Sequence, residues 1–173
     1  MSLIRPGNKV TGFYNSPAGN LKIDSDGNHI IAVSFMNDDI PSLKDTQPVS
    51  CSEIIEKCIE ELDAYFRGKG KEFSVPFQSS GTDFQQKVWQ QVKAVPYGKT
   101  ITYSALAERL GSVKLTRAVG QANGKNPLAI LVPCHRVVGK NNELQGYAWG
   151  ISRKRQLLEL EGSISIHRQM TLF

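Results

Sequence analysis

Over residues 10–35 apolar and polar positions alternate, and turn chemistry breaks the alternation at Ser16-Pro17-Ala18-Gly19 and at Asp24-Ser25-Asp26-Gly27-Asn28. A period of two, closing on the β-rich His29-Ile30-Ile31-Ala32-Val33-Ser34-Phe35, predicts an antiparallel meander with one face buried. After Ser52, which reads as an N-cap, the period changes. Ile54, Ile55, Cys58, Ile59, Leu62, Tyr65 and Phe66 recur at helical spacing until Gly68 and Gly70 stop them. Cys58 lies on that stripe and reads as packing. A short strand is predicted over residues 73–77, and the polar connector Gln78-Ser79-Ser80-Gly81 is the natural place to divide two lobes.

Beyond the connector the pattern turns helical. Thr82 with Gln85 is a capping box, and Phe84, Val88, Trp89 and Val92 share one face of a helix that ends before Pro96-Tyr97-Gly98. Thr102 caps a short helix over residues 103–110. Gly111-Ser112 makes a turn, and a second helix is predicted from about Lys114 to Ala122, ended by Lys125-Asn126-Pro127. This is helix-turn-helix spacing, which two ordinary packed helices also satisfy. The second helix carries Lys114, Thr116 and Arg117 with small Ala118, Gly120 and Ala122, so its backbone can approach a groove closely. A glycine-containing loop over residues 139–150 precedes a last helix from about Ser152, with Leu157, Leu158 and Leu160 before Glu161-Gly162.

Composition changes this picture only a little. A chain of 173 residues can bury a sizeable core, and a net charge of +5 favours phosphate-rich or acidic partners without identifying one. Three cysteines, an odd count, and a start (Met1-Ser2-Leu3-Ile4-Arg5-Pro6) without the apolar core of a signal peptide point to a reducing, cytoplasmic location. No apolar run approaches the roughly 20 residues that span a bilayer, so no membrane partner is expected.

The candidate chemistry sits at Pro133-Cys134-His135-Arg136, entered by the apolar run Ala129-Ile130-Leu131-Val132. A thiol must lose its proton to attack well at neutral pH, and an imidazole beside it is a local acceptor. Pro133 restricts Val132 to extended backbone, which predicts a strand-like approach to the pair. A buried structural cysteine next to a satisfied core histidine fits the same four residues.

Taken in order, Thr102-Tyr103, Arg117-Ala118-Val119-Gly120, Asn126-Pro127, residues 130–138 with their Pro-Cys-His-Arg, Gly146-Tyr147 and Leu157-Leu158-Glu159-Leu160-Glu161-Gly162 resemble the O6-alkylguanine-DNA alkyltransferases, also called methylated-DNA-protein-cysteine methyltransferases. The likeness covers residues 82–162 closely and residues 9–78 mainly in element order. It implies an α/β fold: a ribonuclease-H-like sheet-and-helix lobe over residues 1–80, a helical, winged-helix-like DNA-binding and alkyl-acceptor lobe over residues 81–163, and a tail over residues 164–173. It also implies direct DNA repair, in which the alkyl group of O6-alkylguanine, and of O4-alkylthymine, moves irreversibly to Cys134 after the base is flipped out of the duplex.

By the same resemblance His135 takes the thiol proton through a water, Glu161 orients His135, Tyr103 donates a proton to the leaving guanine, and Asn126 braces the site. Arg117 matches the finger that fills the vacated space in the stack, on a helix lying in the minor groove, with Lys114 among the phosphate contacts and Thr116, Ala118 and Gly120 at the groove. Tyr147, Trp149 and Val137 wall the pocket. Leu115 and Thr116 stand where relatives often carry alanines beside the finger, which predicts a less tight fit to the groove floor, and Trp149 stands where some carry glycine, which predicts a narrow pocket for methyl and small alkyl groups. No cofactor is implied. Cys51 and Cys58 lack metal-ligand spacing, so no zinc is expected.

The expected partner is double-stranded DNA containing the lesion, met by a protein that is monomeric off DNA. The final Gln169-Met170-Thr171-Leu172-Phe173 resembles the peptide that bacterial polymerases and repair proteins insert into the sliding clamp, with Gln169, Leu172 and Phe173 as its contacts; folding back onto the protein's own surface is the alternative. Rival readings of the whole chain are an alkyltransferase-like lesion binder, which lacks the acceptor cysteine, an unrelated Cys-His hydrolase, and a plain helix-turn-helix regulator.

Overall fold

The computed structural model describes residues 9–37 and 52–164. Strands β1 (Val10–Ser16), β2 (Gly19–Ser25) and β3 (Ile30–Phe35) form the antiparallel meander that the alternation predicts, with Gly12 opposite Ile23 and Ile23 opposite Val33. Helix α1 (Glu53–Phe66) lies on the sheet, and its Ile55, Cys58, Leu62 and Tyr65 are buried with Leu21, Ile23 and Val33. Gly12 makes that approach possible, because a Cβ there would stand 2.5 Å from Ile55 Cγ2. Ser52 occupies the N-cap position with extended backbone, but its hydroxyl caps nothing.

Residues 73–77 do not form the predicted strand. The Glu61 carboxylate accepts the amides of Ser74 (2.9 Å) and Val75 (3.1 Å), and Pro76 has none to offer, so the donors a ladder needs are spent or absent. Only a bridge between Phe77 and Ile30 remains.

The second lobe comprises α2 (Asp83–Lys93), β4 (Ile101–Thr102), α3 (Tyr103–Arg109), α4 (Thr116–Gly124), β5 (Val137–Val138) and α5 (Ile151–Leu160), with β4 and β5 paired in parallel. Thr82 and Gln85 close both halves of the capping box on α2. The Thr102 hydroxyl accepts the Ala105 amide at 3.1 Å and starts α3. A single 3₁₀ turn over Val113–Leu115 leads into α4, whose Ala122 carbonyl accepts the Trp89 indole N–H from α2 at 2.9 Å.

The apolar approach to Cys134 is a buried turn rather than a strand. Val132 donates to the Leu128 carbonyl at 3.0 Å, and Ile130 sits at φ 71°. A β-branched run reads as a strand by composition. Here the Asn126 side-chain amide donates to the Leu128 (3.2 Å) and Val132 (2.8 Å) carbonyls, supplying bonds that a neighbouring strand would otherwise make. The turn is docked on the first lobe, since Val33 donates to Pro127 and Ala129 donates back to Val33, both at 2.9 Å.

Candidate active site

Cys134 opens a 3₁₀ turn, Cys134–Arg136, immediately after Pro133, and only 2% of it is exposed. Its sulfur accepts a hydrogen bond from Asn126 Nδ2 at 3.2 Å, while Asn123 Nδ2 holds the Cys134 carbonyl at the same distance. Burial pushes the thiol up to about 11, against the opposing influence of the Asn126 donor and the Lys154 charge. The resting side chain is therefore a neutral thiol, and a base must take its proton when it reacts.

An imidazole able to accept that proton is one residue away. His135 Nε2 lies 2.7 Å from Glu161 Oε1, and His135 Nδ1 is buried with no hydrogen-bond partner among the described residues. Burial lowers the imidazole's pKa, only partly offset by Glu161, so the ring is neutral at pH 7 and one nitrogen is free to accept. The contact to Glu161 fixes the tautomer with the proton on Nε2 and the lone pair on Nδ1. Burial alone would raise the Glu161 pKa. Hydrogen bonds and charge from His135 and Arg136 reverse it and hold the group at about 2.

Arg136 is the largest omission from the sequence reading. Its Nε donates to Glu161 Oε2 at 2.8 Å, Nη2 to Oε1 at 3.0 Å and Nη1 to the Val95 carbonyl at 2.6 Å, all buried. This bidentate pair makes an ionised Glu161 tolerable inside the core. The available signal was a charged residue placed between His135 and the apolar Val137-Val138. Tyr65 lies on the apolar stripe of α1, yet its hydroxyl donates to Glu161 Oε1 at 2.7 Å. Lys154 was not singled out. Its ammonium is buried and donates to the carbonyls of Val137 (2.6 Å), Gln145 (2.7 Å) and Gly146 (3.1 Å), pinning residues 145–146 beside β5. Its place three and four residues before Leu157 and Leu158 put it on the apolar face of α5.

Tyr103, at the start of α3, donates to the Gln145 carbonyl at 3.1 Å and lies 3.5 Å from Lys154 Nζ. It lines a cleft of about 580 Å³ together with Thr116 and Gly120 of α4 and Gly139, Gln145 and Gly146 of the following loop. A Cβ on Gly120 would meet the Tyr103 ring at 3.8 Å, so the helix and the tyrosine are already in near contact. Arg117 and Lys114 are exposed on the same helical segment, with Ala118 half-buried. The Tyr147 hydroxyl is buried, and burial followed by the Cys134 sulfur raises its pKa. Val137 and Trp149 lie away from the cleft. Val137 is fully buried opposite Ile101, and the Trp149 ring stands edge-on to Tyr147 at 5.4 Å and to Phe35 of β3 at 6.1 Å.

Family models described as the ribonuclease-like domain and the DNA binding domain of 6-O-methylguanine DNA methyltransferase match residues 9–79 and 83–163. The chain belongs to the 6-O-methylguanine DNA methyltransferase family. A methylated-DNA--protein-cysteine methyltransferase of Methanosarcina acetivorans is 42% identical over 87% of this chain and 96% of its own length. One from Haemophilus influenzae is 38% identical over 86% of this chain and 84% of its own. The crystal structure of the Mycobacterium tuberculosis O6-methylguanine methyltransferase superposes with a TM-score of 0.76 at 39% identity, over 90% of this chain and 93% of that one. The M. tuberculosis protein has also been solved in complex with DNA, and that structure gives a TM-score of 0.76 at 41% identity over 87% and 91% of the two chains. In this chain an α/β lobe with a three-stranded sheet precedes a helical lobe, an overall fold shared with these methyltransferases.

Among the described residues no group of three His, Cys, Asp or Glu side chains could hold a metal ion, and no helix is long and apolar enough to cross a membrane. Cys51 and the clamp-like residues Gln169, Leu172 and Phe173 lie outside the described residues.

Proposed function

We propose that this chain repairs alkylated DNA directly, moving the alkyl group from O6 of guanine to Cys134 Sγ once per molecule. In the reaction the alkyl carbon–oxygen bond breaks as the carbon–sulfur bond forms. The thiol proton passes to His135 Nδ1 through a water, Glu161 stabilises the imidazolium, and the departing guanine takes a proton from the Tyr103 hydroxyl. The Cys134–His135–Glu161 chain carries this reading, because the thiol is neutral at rest and the adjacent His135 keeps its Nδ1 buried without a hydrogen-bond partner among the described residues.

A buried sulfur cannot reach a base stacked in a duplex. The lesion therefore rotates out into the cleft beside Tyr103, Arg117 fills the gap it leaves, and α4 lies in the minor groove with Lys114 near phosphate. Asn126 stabilises the thiolate through its N–H donor and braces the turn that presents it. The same displacement extends to O4-alkylthymine. Trp149 buttresses Tyr147 beside the sulfur, so methyl and small alkyl groups fit and benzyl groups react poorly; rapid labelling by O6-benzylguanine contradicts this part. The protein acts as a monomer off DNA. Its last five residues engage a sliding clamp, and deleting residues 169–173 abolishes that binding.

A thioether offers no good leaving group, so turnover stops after one event. Incubation with excess O6-methylguanine oligonucleotide should add one methyl group per protein, mapped to Cys134 by peptide mass, and Cys134→Ala should add none. Sustained turnover, or an adduct on another residue, overturns the proposal. A lesion binder of the alkyltransferase-like kind would have no acceptor at position 134.

A further inference from the structure

We propose that Tyr65, on α1 of the first lobe, is a positioning residue for the Cys134–His135–Glu161 relay, setting through its hydroxyl how strongly Glu161 holds His135. The inference rests on the function proposed above and extends it across the lobe boundary.

Glu161 Oε1 is shared. It accepts from Tyr65 (2.7 Å), from Arg136 Nη2 (3.0 Å) and from His135 Nε2 (2.7 Å), while Oε2 takes Arg136 Nε (2.8 Å) and the Gly98 amide (3.3 Å). A carboxylate oxygen that already serves two other donors has less electron density to offer a third. Tyr65 thus competes with His135 for the same atom, and it is the competitor that comes from the other lobe, 96 residues away in sequence. Its ring is held rigidly, edge-on to Tyr97 (6.1 Å) and to Phe66 (5.3 Å) and tilted against Phe73 (5.9 Å), so the hydroxyl has a fixed aim. Burial, then Glu161, drives the phenol's pKa well above its ordinary value, so it remains a donor throughout the working range.

Among the described residues, the charged and titratable groups facing the relay are Tyr65 from α1, Tyr97 from the segment before β4, Tyr103 from α3, Cys134 and Arg136 on the 3₁₀ turn, Tyr147 from the loop before α5, and Lys154 from α5. Among the described residues only Tyr65 both touches Glu161 Oε1 and can lose its donor without losing its shape. Removing the hydroxyl leaves more of the carboxylate's charge for His135, stabilises the imidazolium and raises the pH at which the base is lost to protonation.

The test is the single-turnover rate of methyl transfer from an O6-methylguanine oligonucleotide between pH 5 and 9, with the adduct located by mass. Tyr65→Phe should move the midpoint of the acid limb up by about half a pH unit, the size expected when one hydrogen bond to a charged group is redistributed. Replacing Tyr65 with 3,5-difluorotyrosine, a stronger donor of nearly the same shape, should move it down. Tyr97→Phe, which removes a hydroxyl bonded to the Leu160 carbonyl at 3.3 Å in the same ring cluster, should leave it in place. A merely structural tyrosine would lower thermal stability without moving the midpoint, and a midpoint unmoved in both Tyr65 variants overturns the inference. If Tyr65→Phe does not fold, the difluorotyrosine protein decides alone. Absence of any Cys134 adduct in the unmodified protein is a different failure, because it removes the proposed function itself.

Discussion

Asn126 holds two things at once: the backbone of the turn and the electrostatics of the sulfur. Its Oδ1 accepts the Leu128 amide at 3.0 Å, and its Nδ2 serves the Leu128 and Val132 carbonyls and Cys134 Sγ. Asn126→Asp keeps the outline and the acceptor but turns the donor into an oxygen that faces two carbonyls and the sulfur. The expected result is a loss of about 2 kcal/mol of stability, from the buried groups left unpaired, measured by urea unfolding. Methyl transfer should slow by about tenfold or more, because a charge beside the thiol opposes thiolate formation. Wild-type transfer by the Asp variant would remove Asn126 from the chemistry. The sequence made Cys134, His135, Glu161 and Asn126 visible because each sits in an ordered motif. Arg136, Tyr65 and Lys154 are not legible there, since a guanidinium, a phenol and an ammonium join such a cluster only when the fold buries their polar ends, Arg136 and Tyr65 on Glu161 and Lys154 on three carbonyls. Arginine and lysine ordinarily read as solvated charge, and tyrosine on an apolar stripe as packing.

The meander, α1, the capping box on α2 and the Thr102 cap were readable because period and cap chemistry are local. The two misread elements share one cause, which is that side chains took over the work of a ladder: Glu61 at residues 73–77 and Asn126 at residues 128–132. In the second of these turns, Ile130 adopts φ 71° while its side chain is almost wholly buried. Two effects oppose each other there. Left-handed backbone costs a β-branched residue about 1–2 kcal/mol, whereas removing a buried isoleucine side chain costs about 2–5 kcal/mol through lost transfer energy and the cavity left behind. Burial wins. Ile130→Gly should destabilise the protein by about 2 kcal/mol in urea unfolding and slow methyl transfer, as the turn that presents Cys134 loosens. A stabilised Ile130→Gly variant would show that strain, not packing, dominates the turn.

At the scale of the molecule, the two lobes meet on one ionised cluster. The connector at residues 78–81 reads as a division, but nothing in local patterning shows that β3 carries the turn before Cys134, that Arg153 reaches back to the Ala18 carbonyl at 3.0 Å, or that Tyr65 reaches Glu161. These contacts tie stability to pH. Glu161 has its pKa lowered from 4.5 to about 2, so the stability it contributes is fully present above pH 4.5 and is lost as pH falls from there towards 2. His135 is buried in its neutral form with its pKa lowered from 6.5. Below pH 6.5 the unfolded chain therefore binds a proton that the folded one refuses, and stability falls there too. Both groups act in the same direction, and they lie where α1, the nucleophile turn and the end of α5 converge. The urea midpoint should therefore begin to fall below about pH 6.5 and fall more steeply below about 4.5, with both lobes unfolding in one transition because Tyr65 and Arg136 lose the same partner. Glu161→Gln should lower the midpoint at pH 7 and flatten the profile below pH 4.5. An unchanged midpoint between pH 7 and pH 3 in the unmodified protein would mean that this cluster does not couple the lobes.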